Sequence, residues 1–219
     1  TSALKISNNE LVETGASATT VWGGATFGPD QEAYITFNAV TTNAPEHNLM
    51  LKVQGTSWAA GHIEVRYDAA APKVVVSTYA PGPEGKTLGE ISPLALAAGD
   101  RFGARAYGNG SVVVYKNGAA VGAFSAAGWP FAASGGRLGL TLTGAYATRL
   151  DNFGGGNVSI GTNTPPHATI LTPPDGTFYT AGDTLRFSGT ATDAQDSTAT
   201  LALHWQIDLH HNNHVHPST

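Results

Sequence analysis

Apolar and polar residues alternate with a period of two along most of this chain, the spacing of a strand with one buried face. Residues 34–40 set Ile35, Phe37 and Ala39 against Tyr34, Thr36 and Asn38. Leu49, Leu51 and Val53 do the same within 48–54. Residues 63–68 read as a half-buried strand, 68–72 as a turn and 73–79 as a returning strand, together an antiparallel hairpin. The sharpest local signal is 111–116, then Asn117-Gly118, then 119–124, because Asn-Gly accepts the positive φ angles of a type I′ hairpin turn. Further strands are predicted at 137–143 and 147–153, and one short helical turn at 92–98. No segment shows a persuasive amphipathic helical period.

The pattern breaks between Gly154-Gly155-Gly156 and Pro165-Pro166. Glycine loosens the chain there, and Pro-Pro stops both helices and central strands. The expected organisation is a large all-β domain over 1–156, a Gly/Pro linker over 157–166 and a second unit over 167–219. In that second unit, 167–171 is predicted as a strand and Pro173-Pro174-Asp175-Gly176 as a turn. Residues 183–191 alternate, and 201–209 place Leu201, Leu203, Trp205, Ile207 and Leu209 on one face.

Composition agrees with strands. Charged residues are 12% of the chain, against roughly 25% in an average soluble domain, and 27 Gly and 12 Pro favour many short strands joined by turns. The net charge of −5 arises without any basic cluster, which argues against nucleic acid as a partner. No apolar run reaches the length of a membrane span, and with no cysteine there are no disulfides. A sheet surface rich in Thr, Ser, Asn and Gly suits an extracellular, secreted or cell-surface protein, and the start Thr1-Ser2-Ala3-Leu4 suits a mature or trimmed chain.

Four pieces carry a resemblance when taken in order: Ala98 to Gly103, Val112 to Gly118, Gly136 to Leu140, and Arg149 to Gly154. Together they resemble the closing hairpins and final strand of the concanavalin A-like or laminin-G-like jelly roll. The resemblance implies an antiparallel jelly-roll β-sandwich with two sheets of about six strands each. It also implies a structural Ca²⁺ held by an acid on the final strand and by groups near the N-terminus; Asp151 matches the first, with Asn9 and Glu10 placed for the second. Beyond Pro166, the stretches Ile170 to Gly176, Ala181 to Asp183, Ser188 to Asp196 and Trp205 to Pro217 resemble an Ig-like or PKD-like accessory domain of secreted bacterial proteins. An Ig-like sandwich needs about seven strands, and the residues after Pro165 suffice for roughly half of them. The expectation is a partial Ig-like β-sandwich, either a piece of a longer protein or one completed by a neighbouring domain or chain.

Catalysis by such a sandwich requires paired carboxylates. The nearest pair, Glu64 and Asp68, shares a strand face with Arg66 between them and reads as a surface salt-bridge ladder. Sugar rings stack their C–H faces on aromatics, and Trp22, Trp58, Trp129, Tyr79 and Tyr107 all sit in loop-like contexts, where aromatics are less committed to a core. Five of the eight histidines fall at or after His204. If the strand continues past Leu209, His210, His214 and His216 share a face and are candidate ligands for Zn²⁺ or Cu²⁺. The alternative is a structural role, with Asn212-Asn213 as a turn.

These features predict a noncatalytic, extracellular carbohydrate-binding or adhesion module of a larger secreted bacterial protein, with a polysaccharide or glycan as partner. One alternative is a structural or assembly protein whose incomplete Ig-like unit pairs with another chain. The other is a jelly-roll glycoside hydrolase.

Overall fold

A computed structural model describes residues 3–81, 84–158, 166–192, 202–211 and 214–218. The chain divides into two compact units, Thr1–Ser159 and Ile160–Thr219, and the division falls inside the Gly/Pro segment. The first unit is all-β. Its strands are β1 (Leu4–Ser7), β2 (Glu10–Glu13), β3 (Ser17–Val21), β4 (Gln31–Ala39), β5 (Glu46–Val53), β6 (His62–Asp68) and β7 (Lys73–Tyr79). They continue as β8 (Gly85–Ile91), β9 (Arg101–Ala106), β10 (Ser111–Lys116), β11 (Ala119–Ser125), β12 (Arg137–Thr143) and β13 (Arg149–Asn157). Among the described residues the sole helical element is a single 3₁₀ turn at Trp58–Ala60; the helical turn expected at 92–98 is irregular chain.

The strands form a seven-stranded sheet in the order β1-β2-β13-β4-β9-β10-β11 and a six-stranded sheet in the order β3-β12-β5-β6-β7-β8. All the pairings are antiparallel. Inward residues of the two sheets meet in one core: Ile35, Phe37, Phe102, Val112, Val114 and Leu150 from the first, and Leu49, Leu51, Ile63, Val65, Val76, Leu140 and Leu142 from the second. Burying a side chain of that size contributes about 1.5–3 kcal/mol. Two polar side chains of the core are anchored on one side each: the Tyr67 hydroxyl accepts the Leu96 N–H at 3.0 Å, and His47 Nε2 is 2.8 Å from the Thr148 hydroxyl.

Local chemistry sets the turns. Asn117 (φ 53°) and Gly118 (φ 83°) close the β10–β11 hairpin as their sequence predicts. Asn8 (φ 54°) and Asn9 (φ 64°) do the same between β1 and β2, where Ser7 pairs with Glu10. That second hairpin was legible in Asn8-Asn9, of which the sequence reading used only Asn9, as a source of a ligand oxygen.

The second unit contains two separate two-stranded antiparallel sheets, β14 (His167–Thr172) with β15 (Ser188–Thr192), and β16 (Ile207–His211) with β17 (His214–Ser218). The strand expected over 183–191 starts five residues later, at Ser188, and the one expected over 201–209 starts at Ile207. Leu203, Trp205 and Ile207 are each more than two-fifths exposed, so among the described residues their alternation leaves this face largely open.

Candidate functional site

The outer face of the six-stranded sheet carries its polar residues in rows set by the register. One row runs Thr19, Thr141, Asn48, Arg66, Val75 and Glu90. The next includes Met50, Glu64, Ser77 and Thr87, and a third pairs His62 with Tyr79 and Tyr79 with Gly85. Glu64, Asn48 and His62 lie on the outward face, yet 6%, 1% and 0% of their surfaces are accessible, because half-buried neighbours such as Arg66 and Tyr79 crowd over them. The surface salt-bridge ladder expected of Glu64, Arg66 and Asp68 is therefore replaced by something else.

Asn48 Nδ2 donates to Glu64 Oε2 at 3.1 Å, the Tyr79 hydroxyl lies 3.5 Å from Glu64 Oε1, and His62 Nε2 is 4.0 Å from Glu64 Oε2. Burial, and then the negative charge of Glu64, pushes the Tyr79 phenol above its usual range, so at neutral pH it is a hydrogen-bond donor. The His62 ring stacks on Tyr79 at 4.8 Å and 12°, and Trp58 closes the trio, 5.4 Å from His62 and 4.9 Å from Tyr79. Tyr79 lies flat because its register partner is Gly85, where a Cβ would stand 2.5 Å from the ring. Among the described residues, Asn48 Oδ1 and both ring nitrogens of His62 are buried without a hydrogen-bond partner, as are Glu13 Oε1 and His47 Nδ1 elsewhere in the unit. Each such group costs about 1–3 kcal/mol.

Of the aromatics singled out from sequence, the fold thus brings together Trp58 and Tyr79. Trp129 is 7% exposed and belongs to the core; its Nε1 donates to the Tyr79 carbonyl at 2.9 Å, so it supports Tyr79 from behind. Tyr107 lies beside Arg105 and Tyr115 on the outer face of the seven-stranded sheet. Trp22, 55% exposed, stands at an open edge of the sandwich beside a cleft of about 330 Å³ that Asn9, Asp151 and Asn152 also line. Sequence reasoning missed His62 and Asn48, and read Glu64 and Arg66 as members of a surface ladder. Their signal was polar residues alternating along two adjacent strands, which is also the signal of an ordinary solvated face.

Two of the residues nominated for calcium already take part in hydrogen bonds, and Asp151 and Asn9 line the same cleft. Asp151 Oδ1 accepts the Asn152 N–H at 2.7 Å, and Glu10 Oε1 accepts from Asn38 Nδ2 at 2.8 Å with Arg149 Nε 4.0 Å from Oε2. Calcium takes six to eight oxygens, and among the described residues no group of three or more His, Cys, Asp and Glu is placed to hold a metal. The shared face expected of His210, His214 and His216 required one continuous strand. The chain instead reverses after β16, pairing His211 with His214, His210 with Val215 and Leu209 with His216. Residues 212–213, the predicted turn, lie outside the described residues.

Two face-to-face antiparallel sheets of this composition define the first unit as a jelly-roll β-sandwich. The chain is similar in fold to a carbohydrate-binding module, CBM66, from Bacillus subtilis, with a TM-score of 0.53 and 15% identity over 72% of this chain and 92% of that one. It is likewise similar to a structure described with endo-acting O-glycanases of the human gut microbiota that initiate mucin breakdown, with a TM-score of 0.50 and 10% identity over 71% and 83% of the two chains. A legume lectin-like domain from Entamoeba histolytica follows at a TM-score of 0.48 and 10% identity, covering 72% and 88%. At these identities the likeness concerns the fold. No family model matches the chain, and no curated protein matches it.

Proposed function

We propose that the first unit is a noncatalytic carbohydrate-binding module that works outside the cell, as part of a larger secreted or surface protein. The single observation that carries this reading is the set of unpartnered polar atoms, Asn48 Oδ1 and the His62 nitrogens, beside the Trp58 and Tyr79 rings on one sheet face. A sugar combines a C–H face, which rests on aromatic rings, with hydroxyls that donate to Asn48 Oδ1 and Glu64 and accept from Arg66. Trp58 rides on a single turn between Gly55 and Gly61, so a change of its rotamer uncovers the floor; such side-chain shifts are common on binding. Affinity per site is weak and grows by multivalency on a polymer. The noncatalytic part is supported by Glu64, whose carboxylate is already engaged by Asn48 and Tyr79 rather than facing a second acid. The fold shared with a carbohydrate-binding module is consistent with this reading.

Affinity electrophoresis against a panel of soluble polysaccharides tests it, with products assayed in parallel. Retardation by at least one polymer, abolished in Trp58→Ala and Tyr79→Ala, is the expected result. Retention unchanged in both variants removes the site; release of reducing ends or unsaturated products removes the noncatalytic part.

A second reading concerns the second unit. Ile170, Leu171, Phe178 and Tyr179 are 67%, 52%, 99% and 60% exposed there, more apolar surface than a finished module leaves in water. This favours an accessory, Ig-like or assembly role in which a neighbouring domain or chain covers β14 and β15. Sedimentation of the chain with and without residues 167–219 tests it: association confined to the longer form supports assembly.

A further inference from the structure

We propose a second sugar subsite at the open edge of the sandwich, selective for a pyranose that carries a methyl group. It rests on the carbohydrate-binding reading but uses none of the same side chains. The cleft lies between the β1–β2 hairpin, β3 and β13. It exists because β2 meets β13 at one register pair, Leu11 with Leu150, and because β3 is an edge strand. An irregularity in the β13–β4 pairing between Asp151 and Gly154, with Asn152 at φ 51°, turns this stretch of β13 out of register and sets Phe153 in the cleft wall. Such bulges commonly re-aim side chains at functional sites.

The cleft has three chemically distinct surfaces. Its floor is aliphatic, made by Leu11, Leu140 and Leu150. One wall is Trp22, whose backbone is anchored: Arg137 Nη1 donates to the carbonyls of Trp22, Gly23 and Ala25 at 3.2, 2.9 and 3.2 Å. The indole also folds back over Gly24, where a Cβ would stand 3.2 Å from the ring. A fixed, exposed indole loses little freedom when a ligand docks. Polar groups gather on one rim, at Asn9, Asp151 and Asn152.

A ligand matching all three surfaces has a flat C–H face for Trp22, hydroxyls on one edge for the amides and carboxylate, and an apolar substituent for the floor. A fully hydroxylated hexose would bury a hydroxyl against leucines with nothing to bond, which is unfavourable. A methyl in that position gains from leaving water. 6-Deoxyhexoses and N-acetylhexosamines share this feature.

Calorimetric titration of the full chain with free sugars in matched pairs tests the subsite: L-fucose against L-galactose, L-rhamnose against L-mannose, and N-acetylglucosamine against glucose. In at least one pair the methyl-bearing sugar binds about tenfold or more tightly, the order of discrimination a pocket extracts from so small a difference. The first two pairs identify a 6-deoxy sugar and the third an N-acetyl sugar. Trp22→Ala abolishes the preference, Trp22→Phe retains part of it with the fold intact, and Tyr79→Ala leaves it unchanged. Equal affinity within every pair overturns the subsite. So does a preference lost in Tyr79→Ala but kept in Trp22→Ala, or a cleft that takes octyl chains or apolar peptides and no sugar. If no monosaccharide binds while a polysaccharide still binds through Tyr79, the subsite fails and the broader reading stands; if no carbohydrate binds at all, both fail.

Discussion

The two outer faces of the sandwich use similar residues to opposite ends. On the seven-stranded sheet, Arg105 Nε pairs with Glu32 Oε2 at 2.9 Å and its guanidinium lies 5.0 Å from the Tyr115 ring centre, while Arg101 stacks on Tyr34 at 3.6 Å. Tyr107 and Tyr115 lie beside each other and Arg105. That face spends its charges and rings on its own neighbours. On the six-stranded sheet, the ring trio of Trp58, His62 and Tyr79 surrounds polar atoms that have no partner within the chain. A saturated face is stable and indifferent to ligands. An unsaturated one sacrifices stability for groups that a ligand can complete, and that deficit, more than the presence of aromatics, separates a site from a surface.

The contrast can be stressed first through the core that both faces share. His47 points inward from β5, between Phe37 and Tyr67, and burial lowers its pKa from 6.5 to about 4. The unfolded chain therefore binds the proton more tightly. Stability is unaffected above pH 6.5 and falls as the pH drops from 6.5 toward 4, by about 3 kcal/mol at pH 4. Urea unfolding at pH 7 and pH 4 measures it, and His47→Gln flattens this part of the profile. A pH-independent midpoint across that window would contradict the buried, neutral histidine.

Next in size is the split between faces in binding. Tyr79→Ala should weaken polysaccharide affinity by at least tenfold, about 1.4 kcal/mol, whereas Tyr34→Ala should leave it within twofold. Equal losses would erase the comparison.

His62→Phe sharpens it further. Phenylalanine keeps the stack on Tyr79 and removes two unpartnered nitrogens, so the fold should gain about 1 kcal/mol in denaturant unfolding while glycan affinity falls. Loss of stability would mean the nitrogens are satisfied in solution.

The smallest effect is expected on the seven-stranded face. Arg105 and Glu32 side chains are 41% and 30% exposed, so Glu32→Gln should cost less than about 1 kcal/mol, diminishing further in high salt.

The all-β class and much of the strand plan were legible because they are written in short-range chemistry. The alternation at Ile35 and Phe37 names a buried face. Asn117-Gly118 names a turn, since few other dipeptides accept two positive φ angles. Reading failed where a residue's role depends on what lies across the sheet. Trp129 sits among Gly, Ala and Ser and looks like a loop aromatic, yet it fills the core and bonds the Tyr79 carbonyl. Glu64 looks like one rung of a surface ladder and is buried by rows supplied from other strands. The continuous strand expected past Leu209 instead reverses, which puts His210 on a different strand from His214 and His216.

The sequence by itself determined that this chain makes antiparallel strands with one apolar face each, and where the clearest hairpins turn, because periodicity and turn conformations act over a few residues. The tertiary structure alone decided which polar residues meet on an outward face and which are left without partners. That choice depends on the order β5-β6-β7 and its register, which bring Asn48, Glu64, His62 and Tyr79 together from strands joined by long-range pairing, and no local pattern fixes such a meeting.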